Sequence, residues 1–137
     1  MIVDRVKGDV FESAHAHIVF AVNAEGVNDS GFAGVVAQKV WPELAYIGAC
    51  QLGSLLSLRR DDMTYHALVC HSLARNGWCD APALIANALD ALDIPEGETI
   101  AIVAIGAGPV GQAMGADTKA IREAIDRSTK HVTVYSL

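Results

Sequence analysis

Ile102-Val103-Ala104-Ile105-Gly106-Ala107-Gly108-Pro109-Val110-Gly111 is a run of branched and apolar residues that stops abruptly at three glycines spaced two and three apart. The apolar part reads as a strand buried on both faces. Glycines let the backbone turn sharply and bring bare N–H groups against a ligand, since no Cβ intervenes. A strand, such a loop and a following helix together commonly hold a phosphate. A second glycine-bearing loop, Asn23 to Gly34, follows the apolar segment His17 to Val22. Two such loops predict a cleft shaped for a nucleotide diphosphate.

Outward from that run, strands and helices alternate. Ile2 to Val6 predicts a first strand and His17 to Val22 a second, and a helix capped near Ser30 runs to about Val40, before Trp41-Pro42. Leu44 to Gly48 and Ser54 to Leu58 read as short strands. Thr64 to His71 reads as a longer one, with Arg59 to Asp62 as the turn before it. A helix opens at Pro82 behind Asp80, and Leu84, Ile85, Ala88, Leu89 and Leu92 fall on one of its faces. Thr99 to Ile105 is the central strand, Asp117 caps a last helix, and His131 to Leu137 closes the chain as a strand. Helices separate most strands, but some middle connections are too short for a crossover. The expected architecture is an α/β sandwich of three layers, α/β/α, around a mixed sheet.

Bulk properties narrow the function classes. At 137 residues the chain is a single domain that buries about two-thirds of its unfolded surface and needs no staples. Sixteen acidic residues against ten basic ones give a net charge of −6, which argues against non-specific nucleic-acid binding. Any phosphate must then be held mainly by backbone amides and helix ends. No apolar run approaches the roughly 20 residues that span a bilayer, and Met1-Ile2-Val3-Asp4-Arg5 has no leader pattern, so a cytoplasmic protein away from membranes is expected. Cys50, Cys70 and Cys79 lack CxxC spacing and read as reduced thiols. His15 and His17 form an H-x-H without an evident third ligand, so no metal site is expected, and no cofactor is implied.

The two loops and their flanks resemble the macrodomain, the ADP-ribose-binding module, over essentially the whole chain. The resemblance rests on Gly8-Asp9-Val10 after the first strand, Val22-Asn23-Ala24-Glu25-Gly26 with Ser30-Gly31-Phe32-Ala33-Gly34, Ile105-Gly106-Ala107-Gly108, and the closing Val132-Thr133-Val134-Tyr135. Their order and the short chain are closest to the branch that includes the terminal ADP-ribose protein glycohydrolase. In that branch a catalytic lysine ends the strand matching Thr64 to His71, and here that position falls at or beside His71. The branch's catalytic aspartate aligns with Val110, which carries no proton. The other hydrolytic branch has an Asn-Ala-Ala-Asn loop and a Val-Asp-Gly helix; Asn23-Ala24-Glu25-Gly26 and Val35-Val36-Ala37 lack both signatures.

The resemblance implies a ligand set. Asp9 and Val10 would meet adenine, while Asn23, Glu25, Ser30, Gly31, Phe32 and Gly34 form one wall. Ile105, Gly106, Ala107, Gly108, Pro109, Val110 and Gly111 form the other, around the diphosphate and distal ribose. Each has a plainer reading beside it. Asp9 is equally a turn aspartate capping its own backbone, Ser30 an N-cap, Phe32 a core plug, and Pro109 lacks an N–H to offer. His71 is a candidate for acid–base catalysis, since an unperturbed imidazole titrates near 6.5, with Glu25 and Asp29 as the other residues that could replace the missing groups; a histidine at a strand end is otherwise a surface or hydrogen-bonding residue. Cys70 should not pair with it, because adjacent strand residues face opposite ways. Trp41 and Trp78 read as packing residues. The expected function is binding of ADP-ribose or a related adenine nucleotide, free or on a modified macromolecule, with weak or no hydrolysis. An ADP-ribosyl hydrolase or deacylase with a non-standard catalytic set, and an assembly module with a vestigial cleft, stand as alternatives.

Overall fold

The computed structural model describes residues 1–136. Its strands are β1 (Ile2–Lys7), β2 (His17–Asn23), β3 (Leu55–Arg60), β4 (Met63–His71), β5 (Thr99–Val103) and β6 (His131–Ser136). They form one sheet in the order β1-β6-β5-β2-β4-β3. Every neighbouring pair is parallel except β3–β4, which is an antiparallel hairpin. The expected mixed sheet is therefore present, and its single reversal lies at one edge.

Helices cover both faces. On one side α2 (Ala81–Ala91) and α4 (Thr118–Asp126) bury Ile85, Leu89, Ile121 and Ile125 against Val19, Leu68, Ile100 and Ile102 of the sheet. On the other, α1 (Gly31–Lys39) and the 3-10 turn Pro42–Ala45 press Val36 and Leu44 onto Ile18, Phe20, Ala67 and Val69. A strand in the middle of such a sheet has no solvent face. The β5 residues Ile100, Ala101 and Ile102 are accordingly fully buried, as their continuous apolar character requires. Among the described residues no helix is long and apolar enough to cross a membrane.

Several boundaries differ from the sequence expectation. The segment Leu44 to Gly48 is not a strand. Pro42 opens a 3-10 turn that buries Leu44, and only Tyr46 makes an isolated bridge, to Val27. Arg59 and Arg60 belong to β3, and the hairpin turn is the pair Asp61-Asp62, with Asp61 at φ 56°. The central strand ends at Val103 instead of Ile105. Ala104 donates the last rung to the Tyr135 carbonyl (2.8 Å), and Gly106 then turns the chain at φ 76°. A short helix unread in the sequence, α3 (Pro109–Ala113), starts inside the glycine run with Pro109 in its first turn. Proline is tolerated there because its missing N–H would have no partner anyway. Asp117 caps α4 as expected, its Oδ1 accepting from Ala120 N at 3.0 Å, whereas Ser30 and Asp80 make no side-chain cap bond.

Candidate functional site

Because β2 and β5 are parallel neighbours, the loops leaving their carboxyl ends emerge at the same end of the sheet. That is where open α/β sheets place ligands. A cavity of about 590 Å³ opens at this end. Its walls are Gly8 to Phe11 after β1, Gly31, Phe32, Val35 and Lys39 of α1, and Val103, Tyr135 and Ser136 at the ends of β5 and β6. The volume lies within the usual range for small-molecule sites.

Two phenylalanines make the aromatic wall. The rings of Phe11 and Phe32 stack with centroids 5.5 Å apart, and Phe32 meets Phe20 edge-on at 5.5 Å. Lys39 places its ammonium 5.0 Å over the Phe11 ring. Asp9 stands at the rim, where its Oδ1 accepts a hydrogen bond from Phe11 N at 2.9 Å and caps the 3-10 turn Val10–Glu12. The turn-capping role is thus real, and it leaves the other carboxylate oxygen without a hydrogen bond among the described residues. Gly31 adopts φ 63°, and a Cβ built there would meet nothing within 4 Å. Its glycine is demanded by conformation alone, and it keeps the first turn of α1 open toward the cavity.

The first loop is tied down by amides. Asn23 is buried; its Nδ2 donates to the Val27 carbonyl (2.7 Å), and its Oδ1 accepts from Val27 N (3.1 Å). Asn28, which the sequence reading passed over, accepts from Asn23 N (3.3 Å) and donates to the Leu44 carbonyl (3.1 Å). Gly26, at φ 75°, lies so close to Gly48 that no side chain fits. Glu25 reaches across to the turn after β4, where its Oε1 accepts from Leu73 N at 3.0 Å.

The glycines of the second loop divide by role. Gly106 combines a positive φ with a tight fit, since a Cβ would lie 2.9 Å from that of Ala116. Gly111 packs directly on the Gly106 backbone, where a Cβ would come within 2.7 Å of its Cα. Only Gly108 faces open space. Gln112 Nε2 donates to the Ala107 carbonyl (2.8 Å) and pins the loop to α3.

His71 ends β4, and its carbonyl accepts from Ala24 N at 2.9 Å. The imidazole is buried and lies flat on the Trp78 indole, with centroids 3.9 Å apart and planes at 7°. It is not the surface histidine that a strand end suggests, and Trp78 is its stacking partner as well as core packing. The Nδ1 of His71 and the Nε1 of Trp78 are buried without hydrogen-bond partners among the described residues. Burial holds the imidazole down at about 4, with the nearby Glu25 carboxylate opposing the shift. The parallel ladder skips Cys70 beside it, a local irregularity. No hydrogen bond joins the two, and burial pushes the Cys70 thiol up to about 12. No group of three or more His, Cys, Asp or Glu side chains among the described residues is placed to hold a metal ion.

No family model matches the sequence, and no curated protein does. Solved structures do. A macrodomain protein from Streptomyces coelicolor superposes with a TM-score of 0.71 at 19% identity, covering 98% of each chain. The macrodomain of Mycobacterium tuberculosis DarG gives 0.67 at 16% identity over 98% of this chain and 97% of its own. A Bacteroides thetaiotaomicron protein of unknown function gives 0.73 at 14% identity over 100% of this chain and 98% of its own. The fold is that of a macrodomain. On this macrodomain fold, Asp9, Val10, Gly31 and Phe32 line the first cavity. Ile105 and Ala107 line a different groove, on the α4 side. Asn23, Glu25, Ser30, Gly34, Gly106, Gly108, Pro109, Val110 and Gly111 line neither. Of these, Ser30 and Gly108 before α1 and α3 and Pro109 and Val110 in the first turn of α3 are exposed, whereas Gly34 and Gly111 are buried by close backbone packing.

Proposed function

We propose that this chain binds ADP-ribose or a related adenine nucleotide in the first cavity and hydrolyses it weakly or not at all. The observation that carries the reading is the setting of Asp9. An exposed carboxylate with one uncommitted oxygen stands at the mouth of a cavity walled by the Phe11–Phe32 stack. A purine offers an exocyclic amine to such an oxygen and an apolar ring face to such a wall. The diphosphate would then run past the open first turn of α1 toward Gly108, where backbone N–H groups are the available donors. The same nucleotide carried on a modified macromolecule would reach the cleft equally well. In the order of its motifs the chain stands nearest the glycohydrolase-like branch, but Val110 offers that branch's chemistry no carboxylate.

Cleavage of an ADP-ribosyl bond needs a proton donor, a base or a carboxylate at the ribose, and losing one commonly costs about 100- to 10,000-fold. His71 is held neutral and flat against Trp78 at neutral pH, and Cys70 is no nucleophile. A hydrolase reading rests on one fact, the unpartnered Nδ1 of His71. Calorimetry with ADP-ribose, ADP and AMP tests the proposal. Asp9→Ala should cost about 1–3 kcal/mol of affinity, the range for a hydrogen bond to a charged group. Gly108→Glu should cost more, since it places a carboxylate beside a phosphate. Absence of binding leaves a vestigial cleft. Rapid turnover of ADP-ribosylated protein, lost in both His71→Ala and Gly108→Glu, makes the protein a hydrolase.

A further inference from the structure

On the far side of the sheet from the first cavity, a groove of about 490 Å³ runs between β1, β6 and α4. Val134 lines the groove and Tyr135 the first cavity, as alternation along a strand requires, and Ser136 at the end of β6 borders both. Apolar side chains of Ile121, Ile125 and Val134 form its floor, and Arg5 of β1 and Arg122 of α4 stand on its walls. Thr118 adds a hydroxyl.

Arg5 and Arg122 are the two charged side chains of this lining. In a chain of net charge −6, cations have abundant carboxylates to pair with. Yet among the described residues no lysine or arginine lies within salt-bridge reach of a carboxylate, Arg5 and Arg122 included. The neighbouring carboxylates are used on backbone instead. Asp126 Oδ1 accepts from Ile2 N at 3.0 Å, and Asp117 Oδ1 caps α4. Asp4 Oδ1 accepts from Arg5 N at 2.8 Å, which engages the Arg5 backbone and leaves its guanidinium alone. Two guanidinium groups without carboxylate partners and the Thr118 hydroxyl thus line one groove with an apolar floor. A carboxylate is satisfied by a single forked guanidinium, whereas a dianionic phosphate has three oxygens and accepts from both arginines and the hydroxyl. The apolar floor then asks for an apolar body attached to that phosphate.

We propose that this groove is a second binding site, for a small phosphate monoester with an aromatic or aliphatic body, its phosphate between Arg5 and Arg122. The site does not depend on what the first cavity binds. Ala107 and Gln112 also line the groove, so its occupant touches the back of the glycine loop.

Amide-resolved NMR titration with phenyl phosphate tests this, with inorganic phosphate and benzyl alcohol as the separate head and body. Shifts are expected at Arg5, Ala107, Thr118, Arg122 and Val134. The double variant Arg5→Glu/Arg122→Glu should weaken binding by roughly tenfold or more, as loss of charge-assisted bonds does. Both arginines are exposed, so this variant should keep the parent's melting temperature. Inorganic phosphate should bind several-fold more weakly than phenyl phosphate, and benzyl alcohol more weakly still. The proposal is overturned by shifts confined to Asp9, Phe11 and Phe32, by unchanged affinity in the double variant, or by inorganic phosphate binding as tightly as the ester. ADP-ribose calorimetry on the same double variant should match the parent, so failure at one site is told apart from failure at the other.

Discussion

Gly106 and Gly111, five residues apart in the chain, meet in space, and Gly108 between them touches neither constraint. Gly106 needs both its left-handed backbone and its missing Cβ, while Gly108 has room for a side chain. Gly106→Ala should therefore destabilise the fold by about 1–3 kcal/mol, the cost of a strained backbone plus a forced contact. Gly108→Ala should leave stability within about 0.5 kcal/mol, as surface changes do. Chemical denaturation midpoints of the two variants check the pair; equal effects would contradict the division of roles. The sequence could not draw this distinction, because a glycine kept for close packing and one kept for ligand approach are the same letter. His71 shows the same blindness. Its stack on Trp78 depends on how the turn from Ser72 to Asp80 folds back, which no local pattern encodes.

At the scale of elements, the hairpin β3–β4 carries a testable flaw. Its two-residue turn is Asp61-Asp62, with Asp61 held at φ 56°. Only the first of the two turn residues is left-handed, and glycine takes that conformation without a Cβ penalty. Replacing Asp61 by glycine should raise stability by about 0.5–1 kcal/mol, read as a higher melting temperature with an unchanged denaturant slope. Strands β2, β4, β5 and β6 were legible because β-branched and apolar residues dominate them, and α2 because Ile85, Ala88 and Leu89 mark one face. The five-residue α3 was not, since it is too short to show a period and begins with proline. Leu44 and Tyr46 imitate strand alternation, but Pro42 and the burial of Leu44 favour a 3-10 turn. For the candidate site, the end of the sheet and Asp9, Val10, Gly31 and Phe32 were readable from motif order. The turning of Ile105 and Ala107 toward the second groove was not, because it follows from the end of β5 at Val103 and the left-handed turn at Gly106.

For the whole molecule, acid should be destabilising. His66 and His71 are both buried, and desolvation holds each at about 4 against an ordinary 6.5. His66 is further disfavoured as a cation by His17, whose Nδ1 lies 3.0 Å from its Nε2, and its own Nδ1 meets Ser57 Oγ at 2.7 Å. Because the unfolded chain takes up these protons first, stability is fully present above about pH 6.5 and falls as the pH drops toward 4. The loss is on the order of 2–3 kcal/mol for each imidazole. Melting curves at pH 7.5 and 4.5 should differ by roughly 10–20 °C, and His66→Asn should remove part of the difference; a flat profile would contradict the burial of both rings. The strand order has a consequence in time as well as in space. The last strand of the domain, β6, sits between β1 and β5, so the first strand made waits unpaired until nearly the whole domain has left the ribosome. The β1–β6 pairing thus closes the longest loop in the sheet, and such non-local contacts are the slow ones to form.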